Sequence, residues 1–209
     1  MPAEIQDVYV KTPHLRQMKH AAKLLENGAV VIYPTDTVYG LAADVRNKKA
    51  VERLFRIKDI PNNKPLSLIF PSLSKISEYA NLDNRVFRIM KKVLPGPYTF
   101  ILPVSHDFPK TLTPKRSSIG IRVPDCEVGR ILAEILDAPL LSTSLPPVEG
   151  VYLHEKTEII STYSNQVDLI MIGDQVNNLL STVIDFSADP PVLLRKGAGD
   201  ISSLGITLS

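Results

Sequence analysis

One cysteine in 209 residues, Cys126, excludes an intramolecular disulfide, so neither an oxidising compartment nor a covalent staple is implied. No apolar run approaches the ~20 residues that a membrane-crossing helix needs, and the N-terminal MPAEIQDVYVKTP has no apolar core of a secretory signal. A soluble, cytoplasmic protein is expected. The phosphate loop G-x-x-x-x-G-K-[ST], the dinucleotide fingerprint G-x-G-x-x-G and the nucleophile elbow G-x-S-x-G are all missing. The histidines His14, His20, His106 and His154 are scattered and have no cysteine pair beside them, which argues against a dedicated zinc site. Cys126 sits just inside a helical pattern with no histidine nearby, and reads as a structural thiol.

What is present is a globular composition, 44% hydrophobic and 22% charged. A chain of this length buries ~70% of its unfolded surface without staples. The net charge of +2 hides an asymmetry: residues 1–148 hold 21 Lys/Arg against 14 Asp/Glu, residues 149–209 only 3 against 8. The stretch Arg46–Lys64 carries seven bases and two acids, and Lys110–Arg122 four bases and no acid. Such a basic lobe attracts polyphosphates or nucleic acid, although solvated helix faces account for it equally well.

Helix and strand patterns alternate along the chain. Thr12-Pro13 reads as a cap and first turn, with Leu15, Met18, Ala22 and Leu25 at helical spacing and Gly28 as the stop. Ala29–Tyr33 is a buried strand pattern, followed by a helix marked by Val51, Leu54 and Phe55 and a strand over Leu66–Phe70. Ser72 and Asp83 are candidate caps of two further helices. Strands are expected over Tyr98–Val104, Ser118–Val123, Pro139–Ser144, Asp168–Ile172, Thr182–Phe186 and Val192–Leu194. Val128, Ile131, Leu132 and Ile135 mark an amphipathic helix among them. Leu145–His154 reads as a mobile loop, a candidate lid. This is an α/β pattern, and the 17 prolines favour an open, twisted mixed sheet over a regular parallel one. A single domain is expected, with its core at about residues 10–200.

The most informative segment is Pro34-Thr35-Asp36-Thr37-Val38-Tyr39-Gly40-Leu41, directly after a strand, where Thr35 and Thr37 present hydroxyls at the edge where open α/β sheets place ligands. The same residues would also suit a turn whose hydroxyls bond their own backbone. This segment resembles the signature of the YrdC/Sua5/YciO family. The likeness continues through Lys58…Pro61…Lys64-Pro65-Leu66, Pro95-Gly96-Pro97-Tyr98-Thr99-Phe100 and Ile119-Gly120-Ile121-Arg122-Val123-Pro124. It then runs through Leu141-Ser142-Thr143-Ser144 and Ser181-Thr182-Val183-Ile184-Asp185 to Arg195-Lys196-Gly197.

The resemblance implies a YrdC/RibB-like α/β fold with a basic concave face. It also implies synthesis of threonylcarbamoyl-adenylate from threonine, bicarbonate and ATP, with Mg²⁺ on the phosphates, for N6-threonylcarbamoyladenosine in tRNA. By the same likeness Lys58 would face phosphate or carbamate, and Lys64 would help bind substrate. Thr35 would contact threonine, and Arg122 would hold its carboxylate. Ser142 and Ser144 would touch substrate and nucleotide, and Ser181 with Arg195 would close over the site. No protein nucleophile is needed; positioning and charge carry the reaction.

Two departures stand out. Ile60 occupies the place of a family arginine in Lys-x-Arg, and Pro146 that of a family asparagine after Ser142-Thr143-Ser144. Both missing groups belong to the nucleotide side, and together with the compact length they point to the YciO branch. A non-catalytic tRNA- or double-stranded-RNA-binding factor using the same concave face is the alternative reading.

Overall fold

The structure is a computed structural model and describes residues 2–62, 64, 66–105, 117–174 and 177–207. His106, Pro65 and the Lys110–Arg116 part of the second basic run lie outside the described residues. In chain order the elements begin β1 (Glu4–Val8), α1 (Leu15–Glu26), β2 (Val30–Tyr33), β3 (Gly40–Asp44), α2 (Lys48–Lys58) and β4 (Ser67–Ile69). Next come α3 (Asn84–Val93), β5 (Tyr98–Pro103), β6 (Ser118–Arg122), α4 (Glu127–Ile135) and β7 (Leu140–Ser144). The chain ends with α5 (Lys156–Tyr163), β8 (Leu169–Gly173), β9 (Thr182–Asp185) and β10 (Val192–Arg195). Short 3₁₀ turns occupy Leu73–Glu78 and Ile201–Leu204.

The strands form one open, mixed 10-stranded sheet in the order β1-β8-β2-β3-β7-β4-β6-β5-β9-β10. Parallel pairs such as β4–β6 and β5–β9 alternate with antiparallel ones such as β3–β7 and β5–β6. Because side chains alternate between faces, the central strands β8, β2, β3, β7 and β4 each feed two cores. On one face Val31, Tyr33, Ala42 and Leu140 pack with α1 (Met18, Leu25) and α4 (Val128, Leu132). On the other, Ile32, Leu41 and Ala43 meet α2 and α5 through Leu54 and Ile159. Further along that second face, Leu68, Phe100, Leu102, Ile119, Ile121 and Leu141 pack with α3 through Ile89 and Met90.

Local chemistry explains most boundaries. Asn47 caps α2, its side chain accepting from the Ala50 N–H, and Asp83 caps α3 by accepting from the Val86 N–H at 2.7 Å. Gly28, at φ +93°, turns the chain from α1 into β2 as a left-handed residue that L side chains rarely adopt. Two expectations are corrected. The first helix starts at Leu15 behind His14, so Thr12 does not cap it. Ser72 makes no capping bond; its hydroxyl lies 2.8 Å from that of Ser74. The segment after β7 is irregular: Leu145 is buried and bonds the Tyr39 carbonyl, and Val148 and Val151 pair across a turn whose residues are exposed.

Candidate functional site

The helices α1 and α4 leave their face of the sheet uncovered over β4, β6, β5 and β9, and this gap is a cleft of about 440 Å³. That volume suits a small-molecule ligand. Strand parity supplies the lining. With Phe100 and Leu102 committed to the core behind, Thr99 and Ile101 of β5 face the cleft. Likewise Ile119 and Ile121 leave Ser118, Gly120 and Arg122 on β6, while Leu68 and Leu141 leave Ser67 and Ser142. Register sets Ser142 beside Ser67, Ser67 beside Gly120, and Gly120 beside Ile101. The floor is a row of small or hydroxyl-bearing positions inside otherwise apolar strands.

The connection between β2 and β3 forms one rim. Thr35 is buried; its hydroxyl donates to the Val38 carbonyl at 2.7 Å and accepts from the Thr37 N–H at 3.0 Å. It closes its own turn and also lines the cleft. Its neighbour Asp36 has no role in the sequence-based expectations, although a carboxylate between two hydroxyls at a strand's carboxyl edge is the signal that could have found it. Asp36 Oδ1 accepts from Arg122 Nη2 at 2.8 Å, and Oδ2 from the Asp125 N–H at 3.0 Å. Arg122 Nη2 also donates to Thr37 Oγ1 at 3.2 Å, and its Nε is buried with no partner among the described residues. The side chains are only 13% and 8% exposed, so Asp36 holds a largely dehydrated guanidinium at the cleft.

The opposite rim holds Ser181 and Arg195. Ser181 is buried, with its hydroxyl 2.9 Å from Thr99 Oγ1 and accepting from Arg195 Nη2 at 3.1 Å. Arg195 Nε donates to the Ser181 carbonyl at 2.9 Å. Partial loss of water lowers the Arg195 pKa, opposed by Tyr152 and aided by Arg122. Ser142 Oγ lies 2.8 Å from the Tyr33 hydroxyl, whose pKa burial pushes up to about 12.

Lys58, the last residue of α2, donates to the Ser144 carbonyl at 2.7 Å and to Ser144 Oγ at 3.1 Å. Loss of water, then Lys64 and Arg195, bring its ammonium down to about 8. Thr35, Arg122, Ser142, Ser144, Ser181 and Arg195 thus line one cleft, and Lys58 grips its rim. Lys64 stands in the loop after α2 outside the lining, and its charge is felt at Lys58. Of the two departures, Ile60 is half-buried just past α2, and the Pro146 carbonyl accepts from the Tyr163 hydroxyl at 2.7 Å. Cys126 occupies the N-cap of α4, 2% exposed, and burial pushes its thiol up to about 12, so it is not a reactive thiolate. Among the described residues no group of three or more His, Cys, Asp or Glu could hold a metal ion, and no helix is long and apolar enough to cross a membrane.

Residues 23–197 match the Sua5/YciO/YrdC family model, described as telomere recombination. The chain is 38% identical over 196 residues to the uncharacterized protein YciO of Escherichia coli (strain K12), covering 93% of this chain and 95% of that one. The crystal structure of E. coli YciO superposes with a TM-score of 0.87 over 97% of this chain and 99% of that chain. A putative threonylcarbamoyl-AMP synthase of Methanocaldococcus jannaschii is 33% identical, covering 87% of this chain and 86% of its own. Pyrococcus abyssi Sua5, crystallised with L-threonine, is 27% identical with a TM-score of 0.83 over 96% of this chain and 59% of that one. With its signature turn, sheet and cleft in place, the chain belongs to the Sua5/YciO/YrdC family.

Proposed function

We propose that this protein joins threonine, bicarbonate and ATP into threonylcarbamoyl-adenylate and releases pyrophosphate, supplying the activated group for N6-threonylcarbamoyladenosine in tRNA. The observation that carries the reading is Arg122, held by Asp36 at a hydroxyl-lined cleft, with its Nε unpartnered among the described residues. A guanidinium so placed suits the carboxylate of an amino acid. The family supports the choice, through the putative threonylcarbamoyl-AMP synthase at 33% identity and the L-threonine complex of P. abyssi Sua5.

In this reading bicarbonate is dehydrated to carbon dioxide, and the threonine amine adds to its carbon. The proton that the nitrogen loses leaves with the released hydroxide as water, giving a carbamate. A carbamate oxygen attacks the α-phosphorus of ATP, and pyrophosphate leaves. Arg122 and Thr35 hold threonine, with Ser142 and Ser181 on either side. Lys58, Ser144 and Arg195 receive the phosphates, and magnesium enters as the partner of ATP. The protein contributes position and fixed charge.

Ile60 and Pro146 tune the same site. Each charge-assisted bond to phosphate that is missing costs ~1.5–3 kcal/mol, or roughly tenfold to a hundredfold in affinity. The expected enzyme is therefore weak for ATP while its threonine side is intact. A small ligand suits the cleft better than an RNA backbone: a concave space of about 440 Å³ encloses a small molecule and not a stretch of duplex. The test is pyrophosphate release by the purified protein. It should require threonine and bicarbonate together and disappear in Arg122→Ala; release that ignores threonine would defeat the proposal.

A further inference from the structure

Tyr33, the last residue of β2, carries its phenol across β3 to reach Ser142 on β7. Gly40 of β3, the register partner of Tyr33, lets the ring pass: a Cβ there would stand 2.5 Å from Tyr33 Cε1. On its other edge the ring meets Gly129 in the first turn of α4, where a Cβ would stand 2.8 Å from Cε2. Two glycines, poor formers of strand and helix alike, thus make room for one side chain that is 0% exposed. Packing accounts for the ring. It does not account for the hydroxyl, which a phenylalanine would lack while filling the same space.

The hydrogen bonds decide what that hydroxyl does. Among the described residues, the phenol and Ser142 Oγ are each other's only hydrogen-bond partner, 2.8 Å apart. Burial pushes the phenol up to about 12, so it keeps its proton. A phenol that accepted from Ser142 would leave this proton without an acceptor inside the core. A phenol that donates to Ser142 Oγ orphans nothing, because the Ser142 proton then turns to the cleft, which Ser142 lines and Tyr33 does not.

We propose that Tyr33 is a positioning residue, which fixes the Ser142 hydroxyl as a one-way donor to a carboxylate oxygen of the bound amino acid, beside Arg122. The inference deepens the functional reading above and rests on it. The surroundings select an anionic oxygen. The Arg122 charge is felt at the phenol, and the Arg122 Nε is buried with no partner among the described residues. A hydroxyl that can only donate, near a guanidinium that can only donate, suits a carboxylate and offers nothing to an N–H. Held in place before the ligand arrives, the hydroxyl needs no reorientation on binding.

The experiment titrates threonine, threonine amide and ATP into the wild type, Tyr33→Phe, Ser142→Ala and the double variant, with a thermal melt of each. Ser142→Ala should weaken threonine by about tenfold or more and lower the melt, because the phenol loses its acceptor. Tyr33→Phe should weaken threonine by at least about threefold, with ATP affinity and the melt nearly unchanged. The double variant should recover the melt, since both partners are gone, yet bind threonine no worse than Ser142→Ala alone. The preference for threonine over its amide should shrink in Tyr33→Phe, where the freed Ser142 hydroxyl turns and accepts from the amide N–H. A side chain that only packs would move the melt and leave this preference alone. If threonine binds Tyr33→Phe as it binds the wild type, with the same preference, the inference is overturned and the functional reading survives. Additive losses in the double variant would overturn it too. A wild type that binds no threonine defeats the functional reading, and this inference with it.

Discussion

At Lys58, loss of water, Lys64 and Arg195 all pull the ammonium in one direction, from an ordinary 10.5 to about 8. A polyphosphate beside it would reverse that pull, so ATP should bind with uptake of a proton above pH 8. The expected result is ATP affinity that is flat near neutrality and falls by up to tenfold per pH unit above about 8. Lys58→Met should flatten the profile; calorimetry over pH checks both. The linkage to folding has the opposite sign. A lysine whose folded pKa is depressed gives up its proton more readily in the native state, so its contribution to stability rises between pH 8 and 10.5. Asp36 offers the second test at this scale. Asp36→Asn keeps the shape but removes the charge that orients Arg122. Threonine affinity should fall by roughly tenfold to a hundredfold, a loss of ~1.5–3 kcal/mol, with ATP affinity little changed in the same titrations.

Between β9 and the end of β10 the backbones touch at Gly197. A Cβ there would stand 2.2 Å from the Leu180 carbonyl oxygen and 2.5 Å from the Ser181 carbonyl carbon. The Gly197 N–H also donates to Thr182 Oγ1 at 3.0 Å. Gly197→Ala must therefore push the Arg195 end of β10 off Ser181. It should destabilise by ~1–3 kcal/mol, seen as a lower melting temperature, and weaken nucleotide binding. Elements with a strong period were readable in advance: α2 and α4 carry regular apolar spacing, and β2 is a continuous apolar run. Others had no local signal. Gly40–Asp44 is glycine, alanine, leucine and aspartate, poor strand formers, and becomes β3 because β2 and β7 supply ladders on both sides. Edge strand β1 shows only mixed polarity, and α5 has β-branched residues with two buried anchors, Ile159 and Tyr163. Tertiary packing decided all three.

For the molecule as a whole, the site is divided between the two rims of one face. Apart from Lys64, the cationic and hydroxyl residues that the resemblance marked as site residues do converge on one cleft and its rim, but the sequence assigned no role to the residues of its floor. Ser67, Thr99, Ser118 and Gly120 are isolated residues in apolar strands, and they form a surface only when register aligns β4, β6 and β5. The pairing of Asp36 was hidden for the same reason: its partner Arg122 is 86 residues away. The division explains what Ile60 and Pro146 should do. Restoring Ile60→Arg and Pro146→Asn together should raise ATP affinity at least about tenfold and leave threonine affinity unchanged. The most direct measurement is a pair of equilibrium titrations, threonine and ATP, into wild type, Arg122→Ala and Lys58→Ala. The account predicts that Arg122→Ala loses threonine but keeps ATP, and that Lys58→Ala loses ATP but keeps threonine. Undiminished binding of both ligands in both variants would contradict it.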